Sequence, residues 1–323
     1  FLNQNSIKIQ SKKKMEKPPP NLYEQLNLPF LFHELYPEKG GVLFAETQLN
    51  EIDENDMRSP LDKLKDFQEK LNSEDLDPQE NIKLLMQINA IQKMIHGENS
   101  IESLRSQADL GFFYNKYLHP QSAIRNLEKA ISLERRIKLN PEESANIAAE
   151  AALAHLYLRR EGKNRIIKAQ DALKKFYNAK ISNILICFKR NIAKSRILSG
   201  LNKYSDAYQS YQQTISTFHE ITEKRDTDAE AYIYLETAHT LELGSKAIKD
   251  GKEKSMEYYT KAHKILRRNG NKKFANSIDP KKLSEDYREK LEILNIPLNP
   301  SKIEFVTQNE MPFEKIPDDL QIE

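Results

Sequence analysis

The chain is poor in the residues that mark many common folds, with one cysteine, no tryptophan and nine glycines among 323 residues. A single cysteine excludes an internal disulfide framework and a cysteine-rich zinc site. Few glycines and 8% aromatic residues disfavour a β-sandwich, a β-barrel and a glycine-looped nucleotide fold. No apolar run approaches the roughly 18 residues of a membrane span. A basic cluster near the start has no apolar core after it, unlike a secretory signal.

Motifs that carry chemistry are also missing. There is no Gly-x-Gly-x-x-Gly and no Walker loop. Glu236 and His239 have the spacing of a di-iron carboxylate helix, but that site needs a second copy that the sequence lacks. Cys187 stands in the apolar run 184–188, which favours a small buried hydrophobe over a reactive thiol. The sequence therefore predicts no catalytic, cofactor or metal site, and a chain that is not an enzyme.

The sequence begins with a segment, residues 1–59, that has neither helical nor strand periodicity. Prolines interrupt every candidate element in it. We interpret it as an extended docking arm that lies on the body of the protein or on a partner. Its apolar positions are the predicted anchors: Leu28, Phe30, Phe32 and Tyr36.

Helical signals follow almost without interruption from Pro60. Asp77, Asn99 and Asn140 each stand before a helical pattern as capping residues, and Gly97 ends one. About ten helices with short loops indicate antiparallel pairs. The predicted order after the arm is a helical hairpin (60–98), a solenoid (99–270), a capping helix (271–295) and an extended acidic tail (296–323).

A repeated spacing determines the predicted fold. Its first copy is Leu110-Gly111, Tyr114, Ala123, Leu127 and Ala130. Related patterns begin at Leu153-Ala154, around 201–214 and at Leu243-Gly244. Small residues let the two helices of a hairpin cross closely, and large ones fill the gap to the next hairpin. Stacked hairpins then supply the core that none has alone, which predicts an all-α solenoid.

These residues resemble the tetratricopeptide repeat (TPR) over about 100–268. The family's common tryptophan is absent, and the units are spaced roughly 38–49 residues apart instead of about 34. The longer units are similar to kinesin-light-chain-like and ciliary members. The clamp of chaperone-binding members is not matched, because Ala108, Phe112, Ala151 and Arg159 stand at its positions.

The resemblance implies a concave groove lined by the first helix of each unit. The groove would bind protein partners. Its candidate residues are Arg105, Phe112, Lys116, His155, Arg159, Lys189 and Arg196.

A net charge of +2 hides blocks of opposite sign. Residues 159–203 hold thirteen bases and two acids, residues 206–242 eight acids and two bases, and residues 246–273 ten bases and three acids. Two interpretations stay open. Basic and acidic helices of adjacent repeats pair with each other, or a basic ridge meets an acidic partner. The ridge crosses a predicted turn and consists of Arg159, Arg160, Lys163, Arg165 and Lys168.

Two functional hypotheses follow. The first is a non-catalytic scaffold of a large microtubule-associated assembly such as a ciliary axoneme, with tubulin or axonemal subunits as partners. This places the chain in the cytoplasm, at the cytoskeleton or cilium. The second is a protein- or RNA-contacting subunit of a ribonucleoprotein or mitochondrial complex. Poor aromatic interleaving in the ridge disfavours nucleic acid.

Overall fold

The computed structural model describes residues 22–36, 39, 41, 56–72, 76–158, 162–222 and 225–271. Within these ranges there are eleven α-helices and no strand. The helices are α1 (Leu28–Leu31), α2 (Pro60–Asn72), α3 (Pro78–His96), α4 (Ile101–Lys116), α5 (Pro120–Glu134), α6 (Pro141–Tyr157), α7 (Gly162–Leu173), α8 (Ile184–Gly200), α9 (Tyr204–Ile221), α10 (Asp228–Leu243) and α11 (Gly251–Arg268). The predicted capping helix, apart from Asn271, and the acidic tail lie outside the described residues.

From α2 onward, consecutive helices form five hairpins. The pairs are α2 with α3, α4 with α5, α6 with α7, α8 with α9, and α10 with α11. Each hairpin also packs on the next, through the contacts α3 to α4, α5 to α6, α6 to α8 and α9 to α10. The prediction of an all-α solenoid of helix hairpins is confirmed. No helix in the described part of the chain is both long and apolar enough to cross a membrane.

Capping residues set the starts of several helices. Asp77 accepts a hydrogen bond from the Gln79 amide and Asn140 one from the Glu142 amide, as the sequence predicts. The predicted start at Asn99 is one residue early, because the Ser100 hydroxyl accepts from the Ser103 amide. The Thr227 hydroxyl caps α10 by accepting from the Glu230 amide, and the Glu230 carboxylate accepts from the Asp226 amide, one residue before the cap.

Small residues allow the predicted close crossings. A Cβ added to Gly111 of α4 would lie 2.5 Å from Leu127 Cγ of α5. Ala123, Ala154 and Ala207 are fully buried at the equivalent places of their hairpins. The sequence pattern therefore fixes which faces of the paired helices meet.

The core runs as a continuous apolar cluster through the stacked hairpins. Leu104, Leu127, Phe188, Ile197 and Ile233 are among its fully buried side chains. The first hairpin has a smaller cluster of its own around Leu64, Ile88 and Ile91. This continuity fits a fold in which each hairpin covers the exposed face of the previous one.

Candidate functional site: a groove filled by the chain's own segment

The first helices of four hairpins, α4, α6, α8 and α10, line one face of the solenoid, here called the groove. The chain's own segment from Leu22 to Tyr36, the groove segment, lies across this face. It contacts all four helices through Asn115, Tyr157, Arg196 and Tyr232. The segment is part of the predicted docking arm and packs on the body of the same chain.

Apolar side chains anchor the groove segment. Phe30 stacks on Tyr157 of α6 with ring centroids 5.6 Å apart, and Phe32 meets Tyr232 of α10 edge-on at 5.7 Å. Both phenylalanines are buried, and Phe32 is 0% exposed. Burial of such a ring is worth about 1.5–3 kcal/mol relative to leaving it in water.

Two short helical turns shape the segment. Helix α1 has Pro29 in its first turn, and a 3-10 turn follows at His33–Leu35. These turns bring Phe30, Leu31, Phe32 and Leu35 into the core. Of the other predicted anchors, Leu28 and Tyr36 are half-buried and pack against the same core.

Arg196 of α8 is the polar centre of the groove. Its Nη2 donates to the carbonyl oxygen of Leu31 at 2.7 Å, and its Nε donates to Glu236 Oε1 at 2.8 Å. Its guanidinium carbon lies 5.7 Å from the centroid of the Phe32 ring. The Arg196 side chain therefore binds the groove segment in two ways, through the carbonyl group of Leu31 and through the face of the Phe32 ring. It also forms an ion pair with Glu236 of α10.

Two carboxylates, Glu236 and Glu34, lie beside Arg196, and Glu236 is the more buried of the two. Burial raises the pKa of Glu236, although Arg196 opposes the rise. Burial also acts to raise the pKa of Glu34, but the hydrogen bond and charge of His33 and the charge of Arg196 hold it at about 2. Burial and then the charges of Glu34 and Glu236 raise the pKa of Tyr232 well above its usual value. Glu236 Oε2 is buried without a hydrogen-bond partner among the described residues.

Polar contacts cross from each first helix to the next. Arg105 pairs with Glu143 at 2.9 Å, Lys189 pairs with Glu150 at 2.6 Å, and Asn115 donates to Glu150 at 2.7 Å. With Arg196 and Glu236, these partners lie 35 to 40 residues apart in the sequence, close to the repeat spacing. Pairing between adjacent repeats is thus observed for Arg105, Lys189 and Arg196, and the pair of Arg196 with Glu236 joins the basic block 159–203 to the acidic block 206–242.

The remaining predicted groove residues lie at other places. Phe112 is half-buried against the core, and Lys116 is exposed with its Nζ 5.5 Å from the Tyr117 ring centroid. His155 is buried and lies 3.0 Å from Glu128 of α5. The structure therefore joins Arg196 to the groove segment but not Lys116 or His155.

The predicted basic ridge is described only in part. Arg159, Arg160 and the side chain of Lys163 lie outside the described residues. Arg165 Nη1 donates to the carbonyl oxygens of Leu156 and Leu158, so it caps the end of α6. Lys168 is exposed on α7. Arg165 is thus a structural cation, and Lys168 is available to solvent.

Several groove residues were not singled out from the sequence. They are Asn27, Glu34, Glu150 and Tyr232, and Glu236 was noted only for its spacing to His239. One signal could have found the pairs, namely opposite charges one repeat apart, as in Glu150 and Lys189. No signal marked Asn27 or Glu34, because their partners depend on where the arm lies.

The described residues hold no group of three or more histidine, cysteine or carboxylate side chains that could bind a metal. The sequence predicts that Cys187 is a small buried hydrophobe. Its side chain is instead half-buried, and its Sγ accepts a hydrogen bond from Arg190 Nη2 at 3.2 Å.

No protein-family model and no curated protein sequence matches the chain. The solved structures that match it include two of nearly identical TPR-like repeats attributed to a kinesin light chain of Podosopora anserina, one of them a variant. Each is 15% identical with a TM-score of 0.43, and the matches cover 66% and 67% of this chain and 99% of those chains. Matches at this level say nothing about what the chain binds. On its own hairpins, crossings and spacing, the chain is a TPR-like helical repeat protein.

Proposed function

We propose that this protein is a non-catalytic scaffold that binds other proteins through its outer surfaces and arms. One observation carries the proposal: the groove is filled by the chain's own segment, bound through the Leu31 carbonyl and the rings of Phe30 and Phe32. Solenoids of this kind use extended surfaces to contact partners. Lys189 and Arg196 of the groove are paired internally, and exposed lysines outside the groove remain for partners.

The finer form of the proposal is a microtubule-associated assembly, such as a ciliary axoneme. It is supported by the thirteen bases and two acids of residues 159–203. Lys168, Lys180 and Lys203 are exposed and have no ion pair among the described residues. Such lysines suit the acidic tails of tubulin, since opposite charge steers encounter and sets register.

Co-sedimentation with polymerised microtubules tests this form. We expect the chain to pellet with microtubules, and less so when their acidic tails are removed or when salt is raised from about 50 to 200 mM. The variant Arg159→Gln, Arg160→Gln, Lys163→Gln should lose most of the binding.

The matched control is Lys246→Gln, Lys249→Gln, Lys252→Gln, which changes the net charge equally at exposed positions near the start of α11. An equal loss of microtubule binding in both variants would show that overall charge, and not the position of the ridge, causes the binding. No pelleting at low salt would contradict the microtubule proposal, and binding to RNA in its place would favour the ribonucleoprotein hypothesis.

The scaffold proposal has a separate test in the groove. In hydrogen exchange of the 323-residue chain, amides of 30–36 should be protected, because several lie in turns buried against the groove. A peptide covering 22–36 added in trans should bind poorly to the wild type and well to a variant with Phe30→Ala and Phe32→Ala. Rapid exchange of 30–36 would contradict the cis-filled groove without bearing on microtubule binding.

A further inference from the structure

A second polar site lies on the other side of α8, away from the groove segment. It is a cavity of about 430 Å³ between the turn after α7 and the helices α8 and α9. We call it the α8 pocket, and its polar lining includes Tyr177, Asn178, Arg190, Asn191 and Lys194. The pocket is large enough for a small organic ligand, which typically needs about 300–1,000 Å³.

The two cations of the α8 pocket have no carboxylate partner among the described residues. Arg190 is 8% exposed, yet it donates only to neutral acceptors: Asn191 Oδ1, Cys187 Sγ and the carbonyl oxygen of Ala179. Lys194 Nζ makes two long contacts, 3.3 Å to the Tyr177 carbonyl oxygen and 3.4 Å to Asn178 Oδ1. Buried charges in proteins are normally paired, so this arrangement lacks an anion.

The positive charges act on each other. Burial lowers the pKa of Lys194, the charge of Arg190 lowers it further, and Asp206 opposes the change. Asp206 lies at the start of α9 and makes no ion pair with Lys194. A bound anion would relieve this repulsion.

The donors that remain point to the shape of the anion. Arg190 has five N–H groups, and four are used by Asn191, Cys187 and Ala179, including the Nε and Nη2 edge that would bind a carboxylate in two parallel bonds. One Nη1 hydrogen and one or more Lys194 hydrogens remain.

Tyr177 lines the same pocket. The Tyr177 hydroxyl is buried without a hydrogen-bond partner among the described residues, and Lys194 Nζ lies 5.4 Å from the Tyr177 ring centroid. Single donors from separate side chains suit a tetrahedral oxyanion with several oxygens better than a planar carboxylate. Two positive charges without an ion pair among the described residues match a dianion.

We propose that the α8 pocket binds a phosphate group, carried by either a small phosphate ester or a phosphorylated side chain of a partner. Arg190 and Lys194 supply the charge, and the Tyr177 hydroxyl supplies a further hydrogen bond. The volume leaves room for the group to which the phosphate is attached. The site lies away from the groove segment, and its test changes none of the residues that the microtubule test changes.

Calorimetric titration of the 323-residue chain tests the site at constant ionic strength. The probes are inorganic phosphate, a phosphoserine peptide, its unphosphorylated twin, and acetate as a planar monoanion. We expect saturable binding of phosphate and of the phosphopeptide, and none of acetate or the unphosphorylated peptide. Phosphopeptide affinity about tenfold above that of phosphate would identify a protein side chain as the source. Equal affinities would show that the peptide adds no contact, which would favour a small ester as the source.

Variants separate a built site from general charge. Lys194→Gln should weaken phosphate binding at least about tenfold, because a charged hydrogen bond is lost. Tyr177→Phe removes one oxygen and should weaken it about threefold or more. Lys129→Gln, an exposed lysine on α5, makes the same charge change and should leave binding unaltered.

Two results would overturn the proposal. One is the absence of saturable binding of either phosphate probe up to about 10 mM, a concentration at which even weak sites fill. The other is equal weakening by Lys194→Gln and Lys129→Gln. If Lys194→Gln fails to fold, Tyr177→Phe provides the same comparison, because it keeps the ring and its packing.

Discussion

Helix α8 carries two pairs of cations that the fold treats differently. At about 100° of rotation per residue, Lys189 and Arg196 lie about 20° apart around the helix, while Arg190 and Lys194 lie on a face about 130° away. The first pair is neutralised by Glu150 and Glu236 from neighbouring repeats. The second pair meets only neutral oxygen and sulfur acceptors among the described residues.

The difference separates structure from ligand binding. A cation paired across repeats holds adjacent hairpins together, and its loss leaves a buried carboxylate behind. Lys194, which has no carboxylate partner and makes only two long contacts, contributes little to the fold, but it is ready for an anion from outside. Two residues adjacent in the sequence can thus differ in role, since Lys189 pairs with a carboxylate of the neighbouring repeat and Arg190 lines the α8 pocket.

The largest expected effect is the loss of Arg196. Arg196→Ala removes the bonds to Glu236 and to the Leu31 carbonyl and leaves Glu236 desolvated without its partner. The free energy of unfolding should fall by about 3–5 kcal/mol, as for other broken buried pairs. Urea unfolding measures this. Arg196→Lys, which keeps the charge but not the forked geometry, should recover only part of it. If Arg196→Ala lowers the free energy of unfolding by less than about 1 kcal/mol, the paired and unpaired faces of α8 do not differ as proposed.

The next effect is release of the groove segment. Phe32→Ala should cost about 3 kcal/mol, near the lower end for a buried phenylalanine, because the segment can leave the groove instead of tolerating a cavity. Amides of 30–36 should then exchange rapidly while those of α8 stay protected. Leu22→Ala is the control, since Leu22 is 40% exposed on the same segment. Protection of 30–36 that survives Phe32→Ala would show that the rings do not hold the segment.

The two faces should also respond to opposite ends of the pH scale. The pKa of Glu34 is held at about 2, below its usual 4.5, so its ionised form stabilises the groove. That contribution is fully present above about pH 4.5 and is lost as the pH falls through about 2. Hydrogen exchange of 30–36 against pH measures it. Acid-insensitive protection down to about pH 2 would contradict the role of Glu34.

The α8 pocket should respond to alkaline pH and not to acid, because its titrating group is a lysine. The pKa of Lys194 lies below its usual 10.5, so this lysine loses its charge earlier than an ordinary lysine as the pH rises. Phosphate affinity should therefore fall on the alkaline side before ordinary lysines titrate. Calorimetric titrations at increasing pH measure this, and in the variant Asp206→Asn the fall should begin at lower pH. A flat affinity up to pH 10.5 would exclude Lys194 as the charge donor.

The smallest expected effect is that of a substitution in the α8 pocket on the free energy of unfolding. Lys194→Gln should change the free energy of unfolding by no more than about 0.5 kcal/mol, because no carboxylate is left without a partner. A slight gain is expected, since burial disfavours the charged lysine. Urea unfolding alongside Arg196→Ala makes the comparison direct. A loss above about 1 kcal/mol would assign Lys194 a structural role.

The repeat pattern predicted the fold because its causes are local. Gly111 and Ala123 let α4 and α5 cross, and Asp77 and Asn140 begin their helices through bonds to amides two residues away. Periodicity and capping act within one hairpin, so they can be read along the chain. Phe30 and Phe32 stood out as apolar anchors for the same reason, as bulky residues in a segment broken by prolines.

The sites depended on which parts of the chain meet. Arg190 and Lys194 belong to the same basic stretch as Arg196, and nothing in their spacing separates a paired cation from an unpaired one. Their environment was decided when α8 placed one face against α6, α10 and the groove segment and left another beside the turn after α7. The sequence by itself determined the helices, the hairpins and the order of the repeats, through short-range bonds and steric fit. Only the tertiary structure decided which charges are neutralised, because a carboxylate about 40 residues away acts on a cation only when packing brings the two into contact.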